Sequence, residues 1–145
     1  MTSKQSQFHQ ASKEYSFSHS LIKTIVFPPS VTEIGEFAFF LCLQLNNIEF
    51  TKDSNLQKIE SNAFNLSSIE NLKIPAKLSE LEKEWCNNAK KLTKVTVDCE
   101  NQIFKNYEKD DKLIIGKSHI KSSEFDILVF ASRDIKTTTI PPTIK

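Results

Sequence analysis

A pair of apolar residues two positions apart recurs four times along this chain: Ile25 and Phe27, Ile48 and Phe50, Leu72 and Ile74, Val95 and Val97. The first members of successive pairs are 23, 24 and 23 residues apart. Alternation of this kind marks a short strand with one buried face. A fixed period between about 20 and 29 residues marks a stack of such strands, each supplied by one turn of a solenoid. One turn buries too few side chains to fold alone, so each must pack between its neighbours.

Other positions keep the same period. Val31, Leu56 and Leu78 follow the strand pairs, and Ile34, Ile59 and Leu81 come three residues later. Four residues beyond lie Ala38-Phe39, Ala63-Phe64 and Trp85-Cys86. The second turn carries two extra residues in TKDSN, where the first has PPS, as a surface loop absorbs an insertion. Pro28, Pro75 and Pro141 lack the ladder N–H and mark strand ends. Glu-rich stretches before the Ala-Phe stations, and ELEKEWC above all, suggest short helical turns on the outer side. The fold expected is an α/β solenoid. A short parallel β-sheet forms its concave face, and irregular or short helical turns form its convex face.

The same periodicity sets the domain limits. Residues 1–14, rich in Ser and Gln, read as a disordered N-terminal segment. Residues 15–145 read as one repeat domain of about five turns. The turn at 92–134 is long and irregular, with room for a local hairpin, and KNYEKDD within it reads as a loop. Then IKTTTIPPTIK, from Ile135 to Lys145, copies IKTIVFPPSVT from Ile22 and predicts a strand near Thr139. That last turn is incomplete and no capping element follows it, so a fragment of a longer array, a truncated gene product or one end of an assembly is expected.

The pattern L-x-x-I-x-I-P-x-x-V-x-x-I-G-x-x-A-F, nearly complete in IKTIVFPPSVTEIGEFAF, resembles the BspA-type leucine-rich repeats. LNNIEF…LQKIESNAF carries it with the insertion. IENLKIPAKLSELEKEWC departs most, with Trp85-Cys86 for Ala-Phe and Leu81-Glu82 for Ile-Gly. The segment EFDILVFASRDIKTTTIPPTIK is similar to those in the expanded families of trichomonad-like protists. The resemblance implies a protein-interaction module, with adhesion or cell-surface recognition as part of a longer array. The alternative is a structural spacer or a truncated, nonfunctional repeat fragment. It carries over no catalytic motif, and no cofactor is expected.

The remaining residues give chemistry little foothold. His9, His19 and His119 have no metal-ligand spacing, and Cys42, Cys86 and Cys99 match neither a zinc site nor a redox pair. Two glycines leave no phosphate-binding loop. A net charge of +1 gives no basic footprint for nucleic acid. No signal peptide or membrane-length apolar run is legible, which makes cytoplasmic placement the default and excludes direct membrane insertion. The family resemblance points instead to the cell surface. Asn65-Leu66-Ser67 is the one glycosylation sequon.

A protein partner, or further repeats of the same type, would meet the outward side chains of the strands. With Ile25 and Phe27 pointing inward, alternation turns Thr24 and Val26 outward. The same register turns out Asn47 and Glu49, Asn71 and Lys73, and Lys94 and Thr96. The long turn from Asn101 to Glu124 is the second candidate surface.

Overall fold

The computed structural model describes residues 11–12 and 14–145. The expected disordered segment, 1–14, falls mainly on residues outside that set. Within it, Ala11–Ser12 form strand β1, which pairs with Glu33–Ile34 (β3).

The strand pairs fold as their spacing predicts. Thr24–Phe27 (β2) lies parallel to Asn47–Phe50 (β4), with Ile25 opposite Ile48 and Phe27 opposite Phe50. Asn71–Ile74 (β6) lies parallel to Lys94–Val97 (β8), with Leu72 opposite Val95. A second ladder runs through the stations three residues past Val31, Leu56 and Leu78. There β1, β3, Lys58–Ile59 (β5) and Glu80–Leu81 (β7) form a continuous four-stranded parallel sheet.

The front ladder, by contrast, is broken between β4 and β6. Proline accounts for the break. Thr51 N–H donates to Phe27 C=O, and Asp98 N–H donates to Ile74 C=O. Their counterpart in the third turn is Pro75, which has no N–H to give Phe50.

The expected helical turns do not form; the described residues are all-β, and the fold is a β-solenoid. Left-handed backbone explains why. Phe37 and Leu41, Asn62 and Leu66, and Glu84 and Asn88 all have φ between 52° and 62°. Two such residues four apart stop a helix from propagating. The N–H groups then alternate in direction. Ala38, Phe40 and Cys42 donate three residues back, to Gly35, Phe37 and Phe39, while Phe39 and Leu41 donate across to Ala63 and Asn65 of the next turn. The outer side is thus tied to its neighbours by backbone hydrogen bonds, as the strands are.

Aromatic rings fill the core. Phe17, Phe39 and Phe64 stack face to face at 5.1 and 5.3 Å. At the next turn the station holds Cys86, and Trp85 swings in from the alanine position to meet Phe64 edge-on at 6.2 Å. Phe130 closes the column against Trp85.

Beyond β8 the chain leaves the repeat. Phe104–Tyr107 (β9), Asp110–Gly116 (β10) and Ile127–Ala131 (β11) form an antiparallel meander in the order β11-β10-β9. The stretch KNYEKDD, expected as a loop, is the end of β9, a two-residue turn and the start of β10. Asn106 fastens the meander to the stack: its Oδ1 accepts from Val97 N–H and its Nδ2 donates to Val95 C=O. The meander therefore lies beside β8, where the last copied strand would have paired. Residues 136–145 form no strand, and Ile140, the counterpart of Phe27, is exposed.

Candidate functional site

Alternation along the four front strands places the eight candidate contact residues on one side of their strands. Ile25, Phe27, Ile48, Leu72, Ile74 and Val95 are buried. Between them Thr24, Val26, Glu49, Asn71, Lys73 and Lys94 are exposed, and Asn47 and Thr96 are half-buried. The register sets Thr24 beside Asn47 and Val26 beside Glu49. It likewise sets Asn71 beside Lys94 and Lys73 beside Thr96. Two columns result, each interrupted at the break between β4 and β6.

That break is a cleft of about 340 Å³, with Phe50 and Pro75 among its apolar walls and Glu49, Lys73 and Asp98 among its polar ones. Asn47 Nδ2 donates to Glu49 Oε1 at 2.8 Å, which holds the carboxylate in place. Lys73 Nζ pairs with Asp98 Oδ2 at 3.1 Å. The Glu100 N–H, and then Lys73, hold the Asp98 carboxyl below the usual aspartate range. Sequence reasoning placed Phe50 in the core, where it is half-buried on the cleft wall, and missed Asp98 and the cleft itself. The available signal was Pro75, which follows its strand directly where the second turn has Thr51.

A second charged group lies on the β3-β5-β7 sheet. Lys58 Nζ reaches Glu60 Oε1 at 3.2 Å and Glu82 Oε1 at 2.7 Å. Glu33 hydrogen-bonds Glu60, which pushes the Glu33 carboxyl up and pulls Glu60 down. Hydrogen bonds from Lys58 and from Ser61 N–H also pull Glu82 down. These bonds join three consecutive turns and read as structural.

In the long turn, Asn101–Glu124, the meander takes up most of the chain, and Ile120 is strongly exposed. Cys42 and Cys86 are buried and Cys99 is exposed. Burial pushes the Cys86 thiol up to about 11, which keeps it protonated and unreactive. His9 lies outside the described residues. Among those described, no three His, Cys, Asp or Glu side chains gather to hold a metal, and no helix is long and apolar enough to cross a membrane. At the sequon, Asn65 Nδ2 donates to Asn62 Oδ1 at 3.0 Å, and the Ser67 hydroxyl is buried.

Residues 10–122 match a family model described as a BspA type leucine rich repeat region, in six copies. Solved structures share the fold. The pneumococcal vaccine antigen PcpA is 27% identical, with a TM-score of 0.71 over 79% of this chain and 28% of its own. A leucine rich cell surface protein from Faecalibacterium prausnitzii A2-165 is 18% identical, with a TM-score of 0.72 over 91% and 33%. A leucine-rich repeat protein from Eubacterium ventriosum is 16% identical, with a TM-score of 0.54 over 74% and 34%. The chain thus spans about a third or less of each. No curated protein matches the sequence significantly.

Proposed function

Because the chain belongs to the BspA-type leucine-rich repeat family, we propose that it is a non-catalytic protein-binding module whose partner docks on the outward face of β2, β4, β6 and β8. The observation that carries this reading is the outward double column, exposed but for half-buried Asn47 and Thr96: Thr24 and Val26, Asn47 and Glu49, Asn71 and Lys73, Lys94 and Thr96. It offers hydroxyl, amide, acid and base side by side around one exposed valine. Such a surface hydrogen-bonds a folded protein, and it lacks the one-sign charge that holds a nucleic acid. Glu49 and Lys73, on opposite walls of the cleft, give that surface a defined polar centre.

The relatives' names extend the proposal to adhesion or recognition at a cell surface, with this segment one part of a longer array. One similar structure is described as a vaccine antigen and another as a cell surface protein. Pull-down with the native chain as bait, followed by affinity measurement on E49A/K73A, tests the surface. Both side chains are exposed, so circular dichroism and the melting curve should hardly change while affinity falls about tenfold or more. Unchanged affinity would move the contact to the meander and the loop around Ile120. A chain that retains no partner at all would instead be acting as a spacer between other repeats.

A further inference from the structure

The back ladder β1-β3-β5-β7 ends at β7, where the Asn101 side chain takes up backbone groups of the next turn. By the repeat spacing, Ile103 and Phe104 are the fourth-turn counterparts of Glu80 and Leu81. Glu80 N–H donates to Gln57 C=O of the previous turn. Ile103 and Phe104 N–H donate instead to Asn101 Oδ1, at 2.9 and 2.8 Å. Asn101 Nδ2 meanwhile takes up Pro75 and Leu78 C=O. The chain therefore turns away into β9 and leaves the third turn without a backbone ladder partner among the described residues along its outer edge, where the side chains of Phe130 and Arg133 reach it, at Trp85 and Cys86.

We propose that this edge, residues 79–88, binds an extended segment of a partner protein as an added strand. The ladder specifies what the segment must offer. Thr32 C=O accepts from Gln57 and Lys58 N–H, and Ile34 C=O accepts from Glu60 N–H. Gln57 and Ile59 C=O accept in the same way from the third turn. The next acceptors in the series, Ser79 and Leu81 C=O, receive no hydrogen bond from any described residue. On the outer turn, Asn62 and Leu66 N–H donate to Glu84 and Asn87 C=O; the corresponding third-turn donors, Glu84 and Asn88 N–H, have no acceptor among the described residues.

A parallel strand with free N–H groups at alternate positions completes this set. Its side chains would enter a groove of about 500 Å³ between β7 and β11, walled by Leu81, Trp85, Leu128 and Val129, with Arg133 at its margin. Leu128 is 39% exposed there. The meander covers the rest of this end of the stack, so the opening suits one extended segment rather than another whole turn. The site is separate from the front-strand face, and its test does not depend on that reading.

The probe is a synthetic peptide of residues 55–66, NLQKIESNAFNL, which in the native stack pairs in this manner with the first turn. Trp85 is the one tryptophan in the chain and lines the groove, so its fluorescence reports occupancy. The expected result is a saturable change on titration into the full chain, with amide shifts centred on Ser79–Asn88 in nuclear magnetic resonance. A peptide carrying proline in place of Gln57, Lys58 and Glu60 loses the donating N–H groups and should bind about tenfold more weakly or worse. L128D protein should lose affinity as well, while E49A/K73A protein should not. Absence of saturable binding, or binding indifferent to both the prolines and L128D, would overturn the proposal.

Discussion

Phe64 lies fully buried between Phe39, stacked at 5.3 Å, and the edge of Trp85 at 6.2 Å. Truncating it leaves a cavity in the middle of the aromatic column, bounded by rings that are themselves held by other turns and cannot collapse inward. Phe64→Ala should therefore cost about 3–5 kcal/mol in chemical denaturation; a loss below about 1 kcal/mol would contradict this packing. Phe64 was legible because it falls on a station that repeats. Trp85 was half legible. Its apolar character placed it in the core, but a tryptophan standing in for alanine gave no hint that it restores the column where Cys86 falls short. Asn101 was not legible at all. In sequence it is a polar residue in a loop; only the fold shows it buried beneath the Pro75 and Leu78 carbonyls.

At the scale of the element, alternation and period located all four front strands, since both express the same burial of every second side chain. The outer turns were misread for an equally physical reason. A left-handed backbone is usually announced by glycine or asparagine, yet here Phe37, Leu41, Leu66 and Glu84 adopt it. Hydrogen bonds to neighbouring turns hold Leu41, Leu66 and Glu84 there, and no local sequence signal records such bonds. Glu84 is exposed and its φ is 62°. Glu84→Gly should relieve that strain and raise stability by about 0.5–1 kcal/mol, read as a higher denaturant midpoint. A helical turn at this position would give the opposite sign, because glycine destabilises a helix. The copied segment at 135–145 misled in another way: its sequence repeats the first turn, but the meander already occupies the side of β8 that a strand there would need.

Across the whole molecule, carboxylates fasten the meander and tail together. Asp126, nearly buried, accepts from Ser118 N–H and hydroxyl and lies 3.6 Å from Lys145 Nζ. Asp110 accepts from the Thr138 hydroxyl, and Asp134 from the Ser132 hydroxyl and from Lys112. These hydrogen bonds hold all three carboxyls below the usual aspartate range, with the Ser118 N–H first at Asp126, the Thr138 hydroxyl at Asp110 and the Ser132 hydroxyl at Asp134. A lowered folded-state pKa contributes stability that is complete above the unfolded value and is lost as pH falls through the folded one. Glu33, whose carboxyl is pushed up, has the opposite sign: its contribution is present in acid and fades as pH rises through its folded-state pKa. Asp98 beside the front strands and Glu60 and Glu82 on the back ladder carry the same sign as the three aspartates. Of these the front strands hold only Asp98, so acidification should loosen residues 110–134 before them, seen as earlier loss of amide-exchange protection there. Simultaneous loss across the stack would contradict this order.

The sequon has a consequence of timing. Transfer of a glycan requires the asparagine amide and the hydroxyl two residues on to reach an enzyme, but here Asn65 Nδ2 is engaged by Asn62 and the Ser67 hydroxyl is buried. The folded turn is a closed substrate, and only a nascent or unfolded chain is an open one. In a glycosylating secretory pathway, sugar on Asn65 would record that modification outran folding. The destabilised Phe64→Ala chain, which is unfolded for a larger share of the time, should then carry more of it than the native sequence, as intact-mass measurement would show; equal occupancy in the two would mean that the turn opens readily after folding.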